Sequence, residues 1–314
     1  MKQLYPEISP FHTFFLETDS VHQVYVEQSG NPPGIPVIFL HGGPCSGTKP
    51  DHRRFFNPEL YHIILLDQRG CGHSKPFGEL IGNTTQDLLA DMESIRQRLR
   101  IEQWLLFGGS WGGTLALLYA QQFPGRVLAM ILRGVFLARQ ADMRWFFQDG
   151  VNRIYPERWQ ALLDAVQAKS NDEVLSSLCA SVFGDDQHAA EQAAWHWQVW
   201  GGQVALGADF VLGEPLLDES AVKQVKMELH YARNGYFIAE NQILQNCAML
   251  QHIPTMIIHG QNDLTCPLEA GWRLHQALPQ AEFRVLPNSG HVAKGEEMVD
   301  ALVDATDRMA KLLA

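Results

Sequence analysis

Ser110 sits in Gly108-Gly109-Ser110-Trp111-Gly112, with a short apolar run before it and a helically spaced apolar run after it (LLFGGSWGGTLALL, residues 105–118). G-x-S-x-G on a sharp strand-to-helix turn lifts a serine hydroxyl clear of a sheet. The glycines are needed there because the backbone is strained and a Cβ at either flank would clash. The helix that follows adds free backbone N–H groups and a positive dipole end. Such a serine becomes a nucleophile once a base takes its proton and an acid orients the base. On this architecture the three groups come in the order serine, acid, histidine. Asp263 closes the stretch His259-Gly260-Gln261-Asn262-Asp263, directly after the apolar run 255–258 and before Cys266-Pro267, where a further helix starts. His291 follows Asn288-Ser289-Gly290 after the last apolar run, 283–286, and Gly290 is expected to turn that loop back toward the serine. Asp263 should then accept from Nδ1–H of His291, leaving Nε2 to take the Ser110 proton.

Acyl transfer also requires two donors for the developing oxyanion. Trp111, next after the serine, offers one backbone N–H. The run 37–40 leads into His41-Gly42-Gly43-Pro44, a loop of the kind that supplies the other, with Gly43 as the donor. The stretch 67–74, DQRGCGHS, lacks the glycine spacing of a phosphate-cradling loop, which excludes nucleotide binding; it is expected to buttress the oxyanion loop. No H-E-x-x-H or comparable ligand spacing occurs, so neither metal nor other cofactor is implied.

The elements that must position these groups read as follows. Apolar runs at 37–40, 63–66, 105–107, 130–132, 255–258 and 283–286 have the form of central parallel strands, apolar on both faces. Helical patterns at 88–99 and 114–122 alternate with them, which predicts an α/β fold with a mostly parallel, doubly wound sheet and ligands at the carboxyl ends of its strands. From Arg139 to Cys247 strand signals vanish and Trp145, Trp159, Trp195, Trp197 and Trp200 accompany helical periodicity. This predicts a core domain of residues 1–138 and 248–314, interrupted by an α-helical cap, 139–247. The 314 residues, 46% hydrophobic and 19% charged, suffice for a buried core without staples. A formal net charge of −11 argues against nucleic acid or an anionic membrane as partner. Five scattered cysteines without C-x-x-C, an N-terminal stretch without a continuous apolar segment, and the lack of any apolar run near ~18–20 residues point to a cytoplasmic protein.

Taken in order, HGGP, DQRGCGHS, GGSWGGTLAL, HGQNDLTCP and SGH resemble the proline iminopeptidases (prolyl aminopeptidases) of the α/β-hydrolase fold, over nearly the whole chain. The resemblance implies a serine aminopeptidase that releases N-terminal proline from small peptides through an acyl-enzyme, with Ser110, Asp263 and His291 as its triad. It also implies two cap glutamates that meet the substrate's charged imino group. Glu228, in Glu228-Leu229-His230-Tyr231, is one; the other would follow a tryptophan as W-E-G, where this chain has Trp200-Gly201-Gly202. Asp209 and Glu214 are the nearby acids that could supply the missing charge. Cys45 replaces the glycine expected in HGGPG, and Phe147 stands where a tyrosine is often found. Phe136 and the Trp145-Phe146-Phe147 stretch, Phe147 above all, are expected to form an apolar slot for a pyrrolidine ring. Loss of one charge-assisted hydrogen bond costs about 1.5–3 kcal/mol. An esterase or amidase of the same fold, acting on another small acyl group, is therefore the alternative activity.

Overall fold

The computed structural model describes residues 1–214 and 218–314. Eight strands form one sheet: β1 (His12–Glu17), β2 (Gln23–Gly30), β3 (Ile35–Leu40), β4 (Tyr61–Leu66), β5 (Trp104–Ser110), β6 (Val127–Val135), β7 (Thr255–Gly260) and β8 (Glu282–Leu286), in the order β1-β2-β4-β3-β5-β6-β7-β8. From β4 to β8 neighbouring strands are parallel. All six apolar runs are among these strands. β1 and β2 pair antiparallel with each other, and β2 with β4. These two strands are absent from the apolar pattern because HTFFLE and QVYVEQSG mix polar and apolar residues, and much of β1 faces water. β1 is the edge and needs only one buried face, whereas β2 lies inside the sheet and buries polar residues that have partners, Glu27 with Arg53 and Gln28 with His62.

Successive residues of a strand point to opposite sides, and both sides are covered. Ile38, Ile64, Leu106 and Leu132 pack with Leu88 and Met92 of α1 (Thr85–Arg98) and Leu115 of α2 (Trp111–Gln122). Val37, Ile63, Leu105 and Ile131 pack instead on the C-terminal helix, through Leu302 and Met309. α1 begins at a capping box: the Thr84 hydroxyl accepts from the Asp87 N–H (3.3 Å) while the Asp87 carboxylate accepts from the Thr84 N–H (2.9 Å).

Between β6 and β7 lie α3 (Gln140–Phe147), α4 (Pro156–Ala165), α5 (Val174–Val182), α6 (Gln187–Leu206), α7 (Glu219–Arg233) and α8 (Gln242–Gln245). α9 (Leu268–Ala277) and α10 (Glu296–Leu313) complete the chain. The helices between β6 and β7 share one hydrophobic cluster with a face of the sheet, running from Leu106 and Leu115 through Trp111 to Tyr231, Trp200 and Trp159. Specific bonds bolt the layers together. The Tyr231 hydroxyl donates to Asn83 Oδ1 (2.7 Å), Thr85 Oγ1 to the Tyr236 carbonyl (2.6 Å) and Trp145 Nε1 to the Leu264 carbonyl (2.7 Å). Among the described residues no helix is long and apolar enough to cross a membrane.

Candidate active site

Ser110 ends β5 and precedes the first residue of α2, with φ 54° and ψ −126°. That strained conformation holds because the neighbouring backbones lie too close for side chains. A Cβ on Gly108 would run into the Gly112 carbonyl, and one on Gly112 into the Leu40 carbonyl of the adjacent strand. The elbow thus follows from packing β5, α2 and β3 edge to edge.

Asp263 is fully buried in the loop after β7. Its Oδ2 lies 2.8 Å from His291 Nδ1, and its Oδ1 accepts from the N–H groups of Thr265 (3.0 Å) and Cys266 (2.8 Å). Burial opposes its charge, but the facing His291, then His259 and the Cys266 N–H, outweigh burial and hold the carboxyl below its ordinary range. Nδ1–H of His291 donates to this carboxylate, which leaves Nε2 free. Ser110 and His291 border a common cavity but share no hydrogen bond among the described residues; the Ser110 hydroxyl lies 4.0 Å from Cys266 Sγ. Such contacts are commonly loose without substrate. Gly134, at φ +52°, passes so near the pair that a Cβ would sit 3.1 Å from Asp263 Oδ2 and 3.3 Å from His291 Nδ1.

The expected role of Gly290 in the histidine loop is not found. Its backbone is not left-handed, and an added Cβ would meet only the Asn262 carbonyl, at an ordinary 3.6 Å. The crowded residue is Gly260 at the end of β7, where a Cβ would overlap the carbonyls of Ser289 and Gly290.

On the other side of Ser110, Gly43 has φ +114° and its N–H donates to no acceptor among the described residues. Trp111 is the first residue of α2, where an N–H has no intrahelical acceptor. The DQRG stretch does brace this loop. Gln68 N–H donates to His41 Nε2 (3.0 Å), its side-chain amide donates to the His41 carbonyl (2.9 Å), and its Oε1 accepts from Trp111 Nε1 (2.9 Å). Asp67 accepts from Thr48 N–H (2.6 Å) and His73 N–H (2.8 Å), tying the loop's far end. Cys45, at the glycine position of HGGPG, keeps φ +81°, a glycine-like conformation.

A cavity of about 480 Å³ lies between Ser110 and the helices above it. Gly43, Phe136, Phe147, Trp197, Gly201, Glu228, Tyr236 and Cys266 are among its walls. Phe147 stacks on Trp197 (centroids 5.0 Å apart) and Phe136 meets Tyr236 edge-on (4.9 Å). Glu228 accepts from Trp197 Nε1 (2.7 Å) and Gln224 Nε2 (3.3 Å), and no cation pairs with it among the described residues. Burial pushes its pKa up to about 7, against the pull of those two donors. The cavity's other carboxylate, Asp142, is engaged by Arg139 (2.7 and 3.0 Å). Asp209 and Glu214 are exposed and do not line the cavity, so neither supplies the charge missing at Gly201. A Cβ on Gly201 would meet nothing within 4 Å.

The structure thus brings Asp263 and His291 together near Ser110 and places Gly43, Phe136, Phe147 and Glu228 on the cavity that Ser110 borders, whereas Asp209 and Glu214 lie outside it. Trp197, Tyr236, Cys266, His259 and Arg133 were not expected there. Arg133 had a legible signal, a charged residue at the carboxyl end of a central parallel strand, where such folds bind ligands. Among the described residues no group of three or more His, Cys, Asp or Glu side chains gathers as metal ligands would.

Strand order, elbow and loop placement define an α/β-hydrolase, and the family model for the alpha/beta hydrolase fold matches residues 35–297. Among solved structures, a carboxylesterase from Nitrososphaera gargenis superposes with a TM-score of 0.63 at 19% identity, covering 95% of this chain and 99% of that one. A bromoperoxidase from Bacillus anthracis gives 0.61 at 20% identity, over 96% and 99%. At such identities the likeness concerns the fold alone. Sequence relatives are nearer. The probable proline iminopeptidase of Leptolyngbya boryana is 43% identical over 98% of this chain and 97% of its own length. The proline iminopeptidase of Xanthomonas citri is 42% identical over 99% and 100%. The chain belongs to the proline iminopeptidase family.

Proposed function

We propose that this protein is a serine aminopeptidase that releases N-terminal proline from small peptides in the cytoplasm, and that residues 139–247 act as a cap over its active site. Ser110 Oγ attacks the prolyl carbonyl carbon while His291 Nε2 takes the hydroxyl proton and Asp263 holds the imidazole by Nδ1–H. The N–H groups of Gly43 and Trp111 receive the oxyanion. When the C–N bond breaks, His291 returns the proton to the leaving amine; water then attacks the prolyl ester by the reverse path and frees proline. Phe136 and Phe147 flank the pyrrolidine ring, and Glu228 meets the positively charged imino group.

One observation carries the reading: Glu228 opens into the same cavity as Ser110 and has no cationic partner among the described residues. A substrate ammonium supplies that partner. Rates on proline p-nitroanilide, N-acetylproline p-nitroanilide and p-nitrophenyl acetate test it. A large advantage in kcat/KM for the free amine is expected. If the N-acetyl compound is cleaved equally well, the aminopeptidase reading fails and the esterase or amidase reading takes its place.

A further inference from the structure

Ser110 also borders a second cavity, of about 570 Å³, on the side away from the capping helices. It lies beneath the His41–Gly43 loop and reaches the His291 loop and the N-terminal segment at Leu4. Its walls are apolar in part, with Phe39, Phe55 and Phe107, but the charges it carries are mostly positive. Arg133 lies inside; Lys49 and Lys294 are exposed at its edge. Among the described residues Asp51 is the carboxylate on its wall, and it is bonded to Arg54 (2.9 Å). A basic chamber beside the nucleophile contrasts with a net charge of −11 for the chain.

Arg133 is the informative group. It pairs with Gly109 in the β5–β6 register, and a Cβ on Gly109 would overlap the guanidinium, so the charge lies directly against the residue preceding Ser110. Nη1 donates to the His291 carbonyl. Among the described residues no carboxylate lies within ion-pair distance, and Nε and Nη2 carry no hydrogen bond and are not sealed from solvent. Their opening is the cavity. Asp263 attracts this guanidinium only from beyond ion-pair distance, while burial opposes its charge; a site that keeps such a group is suited to an anion, above all a carboxylate taken bidentately. His52 adds no charge to the chamber at neutral pH: burial first, then His41, Lys49 and Arg133, push it down to about 4 against the pull of Asp51.

The chemistry at Ser110 says which anion. Bond breaking divides the substrate in two, an acyl part under the capping helices and an amine that departs with the rest of the peptide. Resting on the proline-releasing reading above, we propose that the second cavity receives the departing one- or two-residue peptide and that Arg133, aided by Lys49 and Lys294, binds its C-terminal carboxylate. The protein is on this account a di- and tripeptidase that reads both ends of its substrate, the imino group at Glu228 and the carboxylate at Arg133.

The test compares kcat/KM for Pro-Ala and Pro-Ala amide in the wild type, Lys49→Gln/Lys294→Gln and Arg133→Gln. The acid-to-amide ratio cancels any change in the chemical step common to both substrates, including one caused by loss of the Arg133 bond to the His291 loop. The acid should be favoured at least tenfold in the wild type, and the ratio should fall at least threefold in the double lysine variant, whose exposed side chains do not jeopardise folding. A wild-type ratio within twofold of one, or a ratio equal in wild type and both variants, overturns the proposal. Inhibition of p-nitrophenyl acetate hydrolysis by Ala-Ala against Ala-Ala amide asks the same question without proline. If the acid inhibits at least tenfold better while proline p-nitroanilide is not cleaved, the subsite stands and the prolyl reading fails. If proline p-nitroanilide is cleaved and the two dipeptides inhibit alike, the reverse holds.

Discussion

Glu228 is enclosed by protein yet faces a cavity, and burial raises its pKa from an ordinary 4.5 to about 7. The sign of the consequence is opposite to that of a salt-bridged carboxylate. An unfolded chain ionises this group above pH 4.5, whereas the folded one resists until about 7, so stability present below 4.5 is lost as pH rises through 7. The shift corresponds to about 1–3 kcal/mol once cavity water is allowed for. Glu228→Gln should therefore melt higher than wild type at pH 8 and equally at pH 4.5, as read by calorimetry at both. The same substitution should lower kcat/KM for proline p-nitroanilide by roughly one to two orders of magnitude, the worth of a charge-assisted hydrogen bond, and leave N-acetylproline p-nitroanilide nearly unaffected. The ratio of the two substrates removes pH effects common to both, so in the wild type it should climb as Glu228 ionises around pH 7. A flat ratio would detach Glu228 from amine recognition. Gly134 makes a second prediction. A side chain there must adopt φ +52° and press on both Asp263 and His291, so Gly134→Ala should cut kcat on p-nitrophenyl acetate at least tenfold, with KM little changed. Retention of full kcat in a folded variant would show that the pair can yield.

Elements are held at their ends, and those ends decide where the loops go. Arg69, just beyond β4, reaches Asp91 of α1 by two bonds (2.6 and 2.7 Å), with both side chains almost wholly buried. Removing one partner of an isolated buried pair costs about 3–5 kcal/mol; here Asp87 (3.6 Å) and Asp19 (3.7 Å) also face Arg69, so the loss of Asp91 should fall at or below the lower end of that range. Asp91→Ala should lower the denaturant midpoint accordingly with an unchanged m-value; a midpoint within experimental error of wild type would mean that Arg69 finds another acceptor. Asp91 also shows what sequence conceals. Strands β3 to β8 are legible because a central parallel strand must be apolar on both faces, and the elbow is legible because only glycine fits its crowded flanks. Triad order then places Asp263 and His291. Strand β1 escapes the same reading because an edge needs only half the apolar residues and His12–Glu17 offers few, and β2 because it buries the polar Glu27, Gln28 and Ser29 within the sheet. Arg133 is legible only in part: its place at the carboxyl end of a central strand marks the ligand side, but the sequence does not say that its side chain lies against Gly109. Which glycine is crowded depends on what lies across from it in space, so Gly260 rather than Gly290 governs the histidine loop.

At the scale of the whole molecule, the inserted helices do not have a core of their own. Trp159 and Trp200 are buried in the cluster that also contains Leu106 and Leu115 of the sheet layer, and Trp111 bridges the two through Tyr231 and Tyr236 at 5.1 and 5.4 Å. Polar ties reinforce the junction. Arg139 joins Asp142 to Glu269 of α9 (2.7 Å each), and Asn83 accepts the Tyr231 hydroxyl. If the helical layer came away, the apolar faces of α2 and α7 would both meet water, at about 25 cal/mol for each Å² uncovered. That cost couples loss of the layer to loss of the sheet packing beneath it, so an intermediate with folded core and melted helices should stay unpopulated. Urea unfolding is therefore expected to give one transition, with coincident midpoints by far-UV circular dichroism, which follows all helices, and by tryptophan fluorescence, to which Trp159, Trp195, Trp197 and Trp200 of the inserted segment contribute. Two resolved midpoints, fluorescence moving first, would show instead that the layer opens by itself. In that case the cavity holding Glu228 would be lost in urea before the elbow at Ser110, and hydrolysis of p-nitrophenyl acetate would outlast the advantage of free-amine substrates.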